Sequence, residues 1–467
     1  MNETIRRNKI RRENDSEYIK FQKQIKNNGS SIWSPSDINY QNIPSNSWFD
    51  IQYYKNANSD FTNKIKKEKR KEHKTTYKCM LVNMELTTKQ KIIFKRWMKT
   101  YLLMYNETLR KIKSLYQTTN ELNIDYKKLR TEHLKDIKNT LILNSSIREI
   151  EGDTKIKAHI LDGAIRLACA NYKSALTNQK NGNIKTFRIR YWKVNKPSYV
   201  LDIEPVYFKD KSICPKIFGE IKCSYDGNPF NLDDIPNRYK TECKVIYNKM
   251  TGKFTLFVPI KTPIESIERE NKVVSIDLGL RTFMTCLSEN EVIKIGNNVV
   301  DTLKPYMTKI NKLNETKCNN NEKYSPKVLT KKERKIENRC YLKMKNKVTD
   351  LHWKSIKYLT DRYDNILIGD LSIKGITKKD TSVLGKMLKR VGYQLSFYKL
   401  RQRFENKSIS KGNYFSTVNE RYTSKTCSKC GNYDDLLGSN KVYNCQKCNI
   451  EIDRDVNGCR GIYLKCT

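Results

Sequence analysis

Apolar residues follow two different periods along the first half of the chain. A strand-like alternation comes first, two stretches with apolar positions at helical spacing follow, and the alternation then returns. The predicted strands cover residues 75–86, 184–192, 198–205, 216–223 and 241–261, and the clearest predicted helices cover 87–116 and 154–176. The last of these strand segments is typical of a hairpin that turns at Lys249–Gly252. This order predicts a β-barrel or sandwich over residues 75–265, interrupted by a helical insert.

The second half opens with three short strands separated by turns. A basic helical region, a buried strand, an amphipathic helix, a further strand and a closing helix follow. These elements are predicted at 272–296, 301–360, 365–376, 384–398, 412–424 and 453–465. Strands and helices therefore mix in both halves, and the length predicts roughly two to four domains.

The net charge of the chain indicates what kind of molecule it binds. The 467 residues carry 91 Lys and Arg against 50 Asp and Glu, a formal net charge of +41. A positive charge of this size repels itself in a compact state unless a polyanion shares it. Nucleic acid is therefore the predicted partner.

The N-terminal residues 1–74 are polar and lack apolar periodicity, so we expect a basic, disordered arm. Its basic run at 64–74 is alternatively a nuclear localisation signal or an RNA-contacting arm. No apolar run of about 20 residues and no signal-peptide pattern occur, so we expect an intracellular protein that is not associated with a membrane. Its 14 cysteines are then free thiols or metal ligands.

Four of those cysteines form two Cys-x2-Cys pairs, Cys427 with Cys430 and Cys445 with Cys448. Two such pairs close together are typical of a tetrahedral zinc site. Because four thiolates leave no open position for water, we expect one structural Zn²⁺ that takes no part in a reaction.

Two acidic residues stand where a hard cation could bind. Asp277 ends the buried strand of "VVSIDLGLRTF", and Asp455 follows the cysteine pairs. Carboxylates gathered from separate elements can hold two metal ions about 4 Å apart, which activate water and stabilise the leaving oxygen of a phosphodiester. Taken alone, the Asp277 pattern is equally consistent with an ordinary turn.

Four segments together resemble the C-terminal half of the transposon-encoded protein TnpB. They are "SIDLGLRTF", "YLKMKNKVTDLHWKSIKYL", "NERYTSKTCSKCG" and "DRDVNGCRGI". They are equally similar to the Fanzor proteins of eukaryotes and giant viruses, and more distantly to compact type V CRISPR nucleases. A weaker likeness to the N-terminal part of TnpB covers "YKCMLVNMELTTKQKIIFKRWMKTYLLMYNETL". The Asn-, Lys- and Ile-rich composition favours a Fanzor.

The resemblance implies a multidomain α+β protein. Its parts would be an RNase H-like RuvC nuclease domain with a zinc-ribbon insertion, and before it a β-barrel wedge domain carrying a helical recognition insert. The implied boundaries are 1–74 for the arm, 75–86 and 184–266 for the wedge, 87–183 for the recognition insert, 267–425 and 450–467 for the nuclease, and 426–449 for the ribbon.

The implied activity is that of a transposon-associated, RNA-guided DNA endonuclease, which cuts DNA paired to a guide RNA beside a short flanking motif. The implied cofactors are two Mg²⁺ ions, or Mn²⁺, and one Zn²⁺. The implied partners are an omega-type guide RNA and double-stranded target DNA, bound by a monomer. We expect it in the nucleus of a eukaryotic host, or otherwise in the cytoplasm. An inactive, repressor-like RNA-guided DNA-binding protein is the alternative, and a transposase or recombinase acting without RNA is a third hypothesis.

Asp277 and Asp455 match the first and last acids of the RuvC triad, but the middle acid is displaced. TnpB proteins usually carry Glu-Asp-Leu where this chain has Gly369 followed by Asp370. Glu420, after the next strand, resembles the rearranged acid of many Fanzors, so the expected catalytic and Mg²⁺-binding set is Asp277, Glu420 and Asp455. Asp370 is an alternative, although adjacent strand residues face opposite sides. Loss of activity is the third interpretation.

Basic residues near aromatic ones, or along the basic helix, are the candidates for nucleic-acid contacts. They are Arg188, Arg190, Lys331, Lys332, Arg334, Lys345 and Lys347. A solvated helix face and core strand packing are the ordinary alternatives. Asn457, in the Asp-x-Asn pattern of the family, either orders the metal site or makes a helix hydrogen bond.

Overall fold

The computed structural model describes residues 9–28, 39–41, 51–55, 75–119, 122, 124–148, 154–235, 242–264, 270–289, 291–315, 329–377, 384–438 and 440–467. The chain forms two compact units, one from residues 1–76 and 263–467 and the other from 77–262. Within the described ranges, no helix combines the length and the apolar character needed to cross a bilayer.

The described helices are α1 (Ser16–Asn28), α2 (Thr88–Thr119), α3 (Tyr126–Lys138), α4 (Leu141–Arg148), α5 (Ala158–Lys180), α6 (Pro215–Phe218), α7 (Val299–Leu313), α8 (Lys331–Arg362), α9 (Ile373–Ile376), α10 (Lys386–Leu395), α11 (Phe397–Lys411) and α12 (Arg454–Leu464). The described strands are β1 (Asn39–Gln41), β2 (Ile51–Lys55), β3 (Thr75–Glu85), β4 (Ser198–Ile203), β5 (Phe208–Lys209), β6 (Ser212–Ile213), β7 (Lys222–Tyr225), β8 (Asn228–Phe230), β9 (Cys243–Asn248), β10 (Lys253–Pro263), β11 (Val273–Leu278), β12 (Met284–Ser288), β13 (Glu291–Ile295), β14 (Asn365–Gly369), β15 (Tyr414–Val418), β16 (Val442–Asn444) and β17 (Glu451–Asp453). The mixture of both element types confirms the α+β class.

The unit formed by residues 77–262 packs helices against a six-stranded sheet of order β4-β9-β10-β3-β7-β8. The predicted hairpin is confirmed: Asn248 in β9 stands opposite Lys253 in β10, and Gly252 turns the chain at a φ of 69°. Helix α2 buries the rings of Phe94, Trp97 and Tyr101 completely in the core of this unit. Closure of the sheet into a wedge barrel remains a prediction.

The prediction of a strand at 184–192 is wrong. This stretch has no regular structure and lies along α2, where the Asn106 side chain donates to the Trp192 carbonyl at 2.9 Å and accepts from its backbone N–H at 2.8 Å. The Trp192 ring stacks on Tyr105 at 4.1 Å between centroids. The apolar residues Phe187, Ile189 and Trp192 therefore pack against helices, whose backbone groups are already paired and cannot form a ladder with this stretch.

Two further predicted elements are shorter than expected. The segment 216–223 is not one strand, because α6 covers Pro215–Phe218 and is capped by Gly219, whose φ is 63°, before β7 starts. The amphipathic helix predicted over 384–398 is two helices, divided at Ser396, whose left-handed φ of 50° stops α10 and starts α11.

The other unit is built on a seven-stranded sheet of order β1-β2-β13-β12-β11-β14-β15. Neighbours from β1 to β11 pair antiparallel, whereas β14 is parallel to both β11 and β15. The prediction of three strands over 272–296 is confirmed. The predicted strand at 365–376 ends at Gly369, and α9 follows it.

Side chains that alternate along β11 separate the two faces of this sheet. Val274 and Ile276 belong to a core cluster with residues of α7, α8, α10 and α11. Val273 belongs to the opposite cluster, built with α1 and α12. Asp277 shares the parity of Val273, so the strand period directs it to the face that α12 covers.

The prediction of a disordered arm is wrong for the described residues of 1–74. Helix α1 buries Tyr18, Phe21 and Ile25, which are spaced i, i+3 and i+7 on one helical face. Strand β2 pairs antiparallel with β13 and extends the sheet. Three buried apolar residues are enough to pack α1 because the sheet and α12 supply the rest of the core. The basic run at 64–74 lies outside the described residues.

Candidate functional site

Three acidic residues approach one edge of the seven-stranded sheet from separate elements. Asp277 lies near the end of β11, Glu420 follows β15, and Asp455 lies in the first turn of α12. Because β11, β14 and β15 are parallel, their carboxyl ends reach the same edge. Such edges are the usual binding positions of α/β sheets.

The acids act on one another electrostatically. Burial, followed by the charges of Glu420 and Asp455, raises the pKa of Asp277 well above its usual value. Burial and the charge of Asp370 raise the pKa of Glu420 to about 7, and burial is the largest cause that raises the pKa of Asp455. Carboxyl groups that oppose one another's ionisation are stabilised in the charged form by a bound cation.

One oxygen of this group lacks a partner. Among the described residues, Glu420 Oε2 is buried and makes no hydrogen bond. A bound cation would give this oxygen a partner, and oxygen donors suit Mg²⁺. The acids do not form a compact single-ion cluster, since in the described part of the chain only four cysteines bring such ligand atoms within 4.8 Å of one another. Acids spaced more widely than that are compatible with a pair of ions.

Helix α12 reaches Asp277 because a glycine faces it. A Cβ atom on Gly458 would lie 2.7 Å from Asp277 Oδ2, so a larger residue would push the Asp277 carboxylate out of its position. Asp453 caps this helix, accepting from the backbone N–H groups of Asp455 at 2.8 Å and Val456 at 3.2 Å, and its other oxygen pairs with Lys294 at 2.6 Å. The two acids of Asp-Arg-Asp therefore differ in role: Asp453 starts the helix, and Asp455 is presented by it.

The displaced middle acid has a direct geometric explanation. A Cβ atom on Gly369 would lie 2.5 Å from Glu420 Oε2. The carboxylate of Glu420 thus fills the space into which a side chain at 369 would project. A side chain at 369 would therefore displace the Glu420 carboxylate from its present position.

Asp370 holds the backbone beside Glu420. Its Oδ1 accepts from the Glu420 backbone N–H at 3.1 Å, and its own N–H donates to the Val418 carbonyl at 3.0 Å. The structure therefore brings Glu420, rather than Asp370, into electrostatic contact with Asp277. The catalytic assignment of Glu420 stays a prediction.

The four predicted zinc ligands come together in a second site. Cys427 Sγ lies 3.6 Å from Cys448 Sγ, and Cys430 Sγ lies 3.4 Å from Cys445 Sγ. Zn–S bonds of about 2.3 Å in a tetrahedron separate sulfurs by roughly 3.8 Å, so the cluster fits a zinc ion. The two pairs form equivalent turns, in which the Cys427 N–H donates to Asn432 O at 2.7 Å and the Cys445 N–H donates to Ile450 O at 2.8 Å.

Side chains of helix α12 also form hydrogen bonds with the first cysteine turn. The buried Asn457 side chain accepts from the Ser428 N–H at 3.1 Å and donates to the carbonyls of Thr423 at 3.3 Å and Thr426 at 2.8 Å. The buried Arg460 donates to Ser428 Oγ at 3.0 Å, which places a cation beside the thiolates. Asn457 thus makes its hydrogen bonds to the chain around the cysteine turn.

Two family models match this chain: one described as "Probable transposase" over residues 257–380, and one described as "Cas12f1-like, TNB domain" over residues 397–462. A TnpB-like protein of Acanthamoeba polyphaga mimivirus is 34% identical over 463 residues, which cover 92% of this chain and 85% of the relative. A second such protein of that virus is 34% identical over 461 residues, covering 92% and 84%. The chain belongs to the TnpB-like family.

Two solved structures also resemble the TnpB-like chain. A Cas12f1–sgRNA–target DNA complex is 14% identical with a TM-score of 0.32, over 83% of this chain and 98% of that one. CasPhi-2 (Cas12j) bound to crRNA and phosphorothioate DNA is 11% identical with a TM-score of 0.32, over 61% of each chain. Likenesses at these scores decide nothing further about the TnpB-like protein.

The nucleic-acid candidates of the TnpB-like chain divide between the two units. Arg188 and Arg190 are exposed on the irregular segment beside α2. Lys331, Lys332, Arg334 and Lys345 are exposed on α8, and Lys347 is half-buried there. Their nucleic-acid role stays a prediction.

Several residues of the TnpB-like site were not found from the sequence. The sequence does carry a signal for the helix cap Asp453, because Asp is common at the position just before the first turn of a helix. The hydrogen bond between Asp370 and the Glu420 backbone had no signal in the sequence. Arg460 also had none, because a buried arginine and an exposed one look the same in a single sequence.

Replacing Cys427 should remove the metal from the four-cysteine site. We expect the full-length protein to contain one zinc per chain and Cys427→Ser to contain little, with a lower melting temperature, because structural zinc contributes folding free energy directly. Elemental analysis and thermal melting measure both. Cys466→Ser, which changes a half-buried cysteine outside the cluster, is the control, and a Cys427→Ser protein that keeps its zinc would contradict the assignment.

Moving the glutamate from position 420 to position 369 should preserve part of the Mn²⁺ affinity of the carboxylate site. Gly369→Glu and Glu420→Ala should each weaken Mn²⁺ binding by roughly 10-fold or more, the first because the two side chains collide. The double variant Gly369→Glu/Glu420→Ala should recover part of the affinity, since one carboxylate again fills the shared space. Electron paramagnetic resonance of free Mn²⁺ measures the binding. A double variant no better than either single one would show that position 369 does not point into the metal site.

Proposed function

We propose that this TnpB-like protein is an RNA-guided DNA endonuclease with a RuvC-type centre formed by Asp277, Glu420 and Asp455. The observation that supports it best is the buried, unpaired oxygen of Glu420, whose charge, with that of Asp455, raises the pKa of the buried Asp277. A divalent cation bound at this sheet edge would give that oxygen a partner.

The sheet supports an RNase H-like nuclease domain in this proposal. Three antiparallel strands, β13-β12-β11, are followed across the sheet by the parallel pair β14-β15. A final helix, α12, crosses one face and brings the last acid to the edge of the first strand. The four-cysteine module lies between β15 and this helix in sequence, where a ribbon insertion is proposed.

The residues of the centre would bind and orient a phosphodiester for hydrolysis. Bound Mg²⁺ supplies the Lewis acidity that phosphodiester hydrolysis needs. Asp277 anchors the site from the rigid sheet, Asp455 adds a carboxylate from the helix start, and Glu420 closes the site from the loop after β15. Because the pKa values of these acids are raised, protons compete with cations for their carboxylates, and the pKa of Glu420 is about 7.

The proposed partners are an omega-type guide RNA and double-stranded DNA that carries a flanking motif. The net charge of +41 supports polyanion binding. Exposed Arg188 and Arg190 in one unit, and the α8 lysines in the other, are proposed contacts with the phosphate backbone. We propose that the protein acts as a monomer with its RNA, in the nucleus of a eukaryotic host or otherwise in the cytoplasm. Zn²⁺ would hold the ribbon.

Cleavage by an Asp277 variant tests the proposal. We expect the protein, purified with its co-expressed RNA, to cut plasmid DNA with randomised flanks in Mg²⁺, and Asp277→Ala to abolish cutting while RNA and DNA binding stay near normal. Glu405→Ala, which changes an exposed acid on α11, is the control. Binding without cleavage by the parent would favour an inactive, repressor-like protein, and absence of co-purified RNA would favour a transposase that acts without a guide.

A further inference from the structure

The loop that carries Glu420 is bound on its outer side by residues from the start of the chain. Asn419 Nδ2 donates to Glu17 Oε2 at 2.8 Å, and Tyr422 OH donates to Asp15 Oδ2 at 2.9 Å. Arg421 also pairs with Asp15, at 3.4 Å. Each residue that flanks Glu420 on these two sides therefore has a partner more than 400 positions earlier in sequence.

The same N-terminal segment is anchored on the four-cysteine module. Arg12 pairs with Asp435 at 3.2 Å and lies over the Tyr433 ring at 3.7 Å, and its side chain is only 9% exposed. Gln22 Nε2 donates to the carbonyl of Gly431, next to the ligand Cys430, at 2.7 Å. The segment thus joins the cysteine module to the loop of Glu420.

A lysine after α12 holds the loop from the other side. Lys465 Nζ donates to the carbonyls of Asn419 and Arg421, both at 2.8 Å. The carbonyl of Lys465 in turn accepts from Gln24 of α1 at 3.3 Å. Residues 419–422 are therefore enclosed between α1 and the end of α12.

This loop needs such support. Tyr422 adopts a left-handed φ of 70°, which a bulky residue keeps only when its surroundings hold it there. The hydrogen bond from Tyr422 is the largest cause that lowers the pKa of Asp15, so the carboxylate stays charged as the partner of both Tyr422 and Arg421. A loop without these contacts would let the Glu420 carboxylate leave its buried position.

We propose that residues 9–28, which we call the N-terminal latch, position Glu420 for divalent cations, with Asp15 and Glu17 as the positioning residues. This inference rests on the proposed metal site. The latch touches no metal-binding carboxylate itself. It holds the side chains of Asn419, Arg421 and Tyr422 on both sides of Glu420, and so it limits where the unpaired oxygen points.

Mn²⁺ binding by latch variants of the zinc-loaded, full-length protein tests this role. Glu17→Ala and Tyr422→Phe should each weaken Mn²⁺ binding by roughly 10-fold, the usual effect of losing a residue that supports metal ligands. Glu17→Gln keeps an acceptor for Asn419 and should restore most of the affinity. Glu13→Ala is the matched control, because Glu13 lies in the same segment with a side chain 54% exposed and pairs only weakly with Lys9, at 4.0 Å.

Hydrogen exchange at residues 419–423 and thermal melting complete the experiment. The latch predicts faster exchange in this loop and weaker Mn²⁺ binding at an almost unchanged melting temperature. Variants that melt earlier or exchange faster but bind Mn²⁺ like the parent would overturn the latch and leave the metal site intact. A parent protein without an Asp277-dependent Mn²⁺ site would overturn the proposed function, and the latch with it.

Discussion

Repulsion among buried carboxylates is the constraint on which the unit of residues 1–76 and 263–467 depends. Burial raises the pKa values of Asp277, Glu420 and Asp455, and the charges of Glu420 and Asp455 raise that of Asp277 further. The fold nevertheless brings them to one sheet edge, on a strand, a loop and a helix start. Gly458 allows the approach of the helix, and Asp453 fixes where that helix begins. Burying these carboxylates close together costs free energy, and bound divalent cations would offset that cost.

The same edge shows how one carboxylate position can be supplied from either of two strands. The space beside Ile462 that a side chain at Gly369 would enter is filled by Glu420 from the neighbouring strand's loop. The cost is that the acid now depends on a loop, which is inherently more mobile than a strand end. Asp370 and the contacts of the N-terminal segment with residues 419–422 offset that cost by fixing the loop backbone.

Sequence alone predicted the parts of the fold whose signals are local. The Cys-x2-Cys spacing indicated the four-cysteine site, the alternation around Lys249–Gly252 indicated the hairpin, and the resemblance to TnpB indicated which acids to compare. The N-terminal helix was missed although Tyr18, Phe21 and Ile25 have helical spacing, because their core is completed by residues far away in sequence. The strand predicted at 184–192 failed for the complementary reason: its alternation records packing on a helix. Glu17 looked like any other exposed acid until its partner at 419 was known.

The most direct measurement is an anomalous-scattering map from crystals of the full-length protein grown with Mn²⁺. The account predicts Mn²⁺ bonded to carboxylate oxygens of Asp277, Glu420 and Asp455 at about 2.1 Å, the distance expected for small hard cations. The ion bonded to Glu420 should be lost from crystals of Glu420→Ala. Carboxylates of these three residues that remain far from any Mn²⁺ at saturating concentration, or a Mn²⁺ site unaffected by Glu420→Ala, would contradict it.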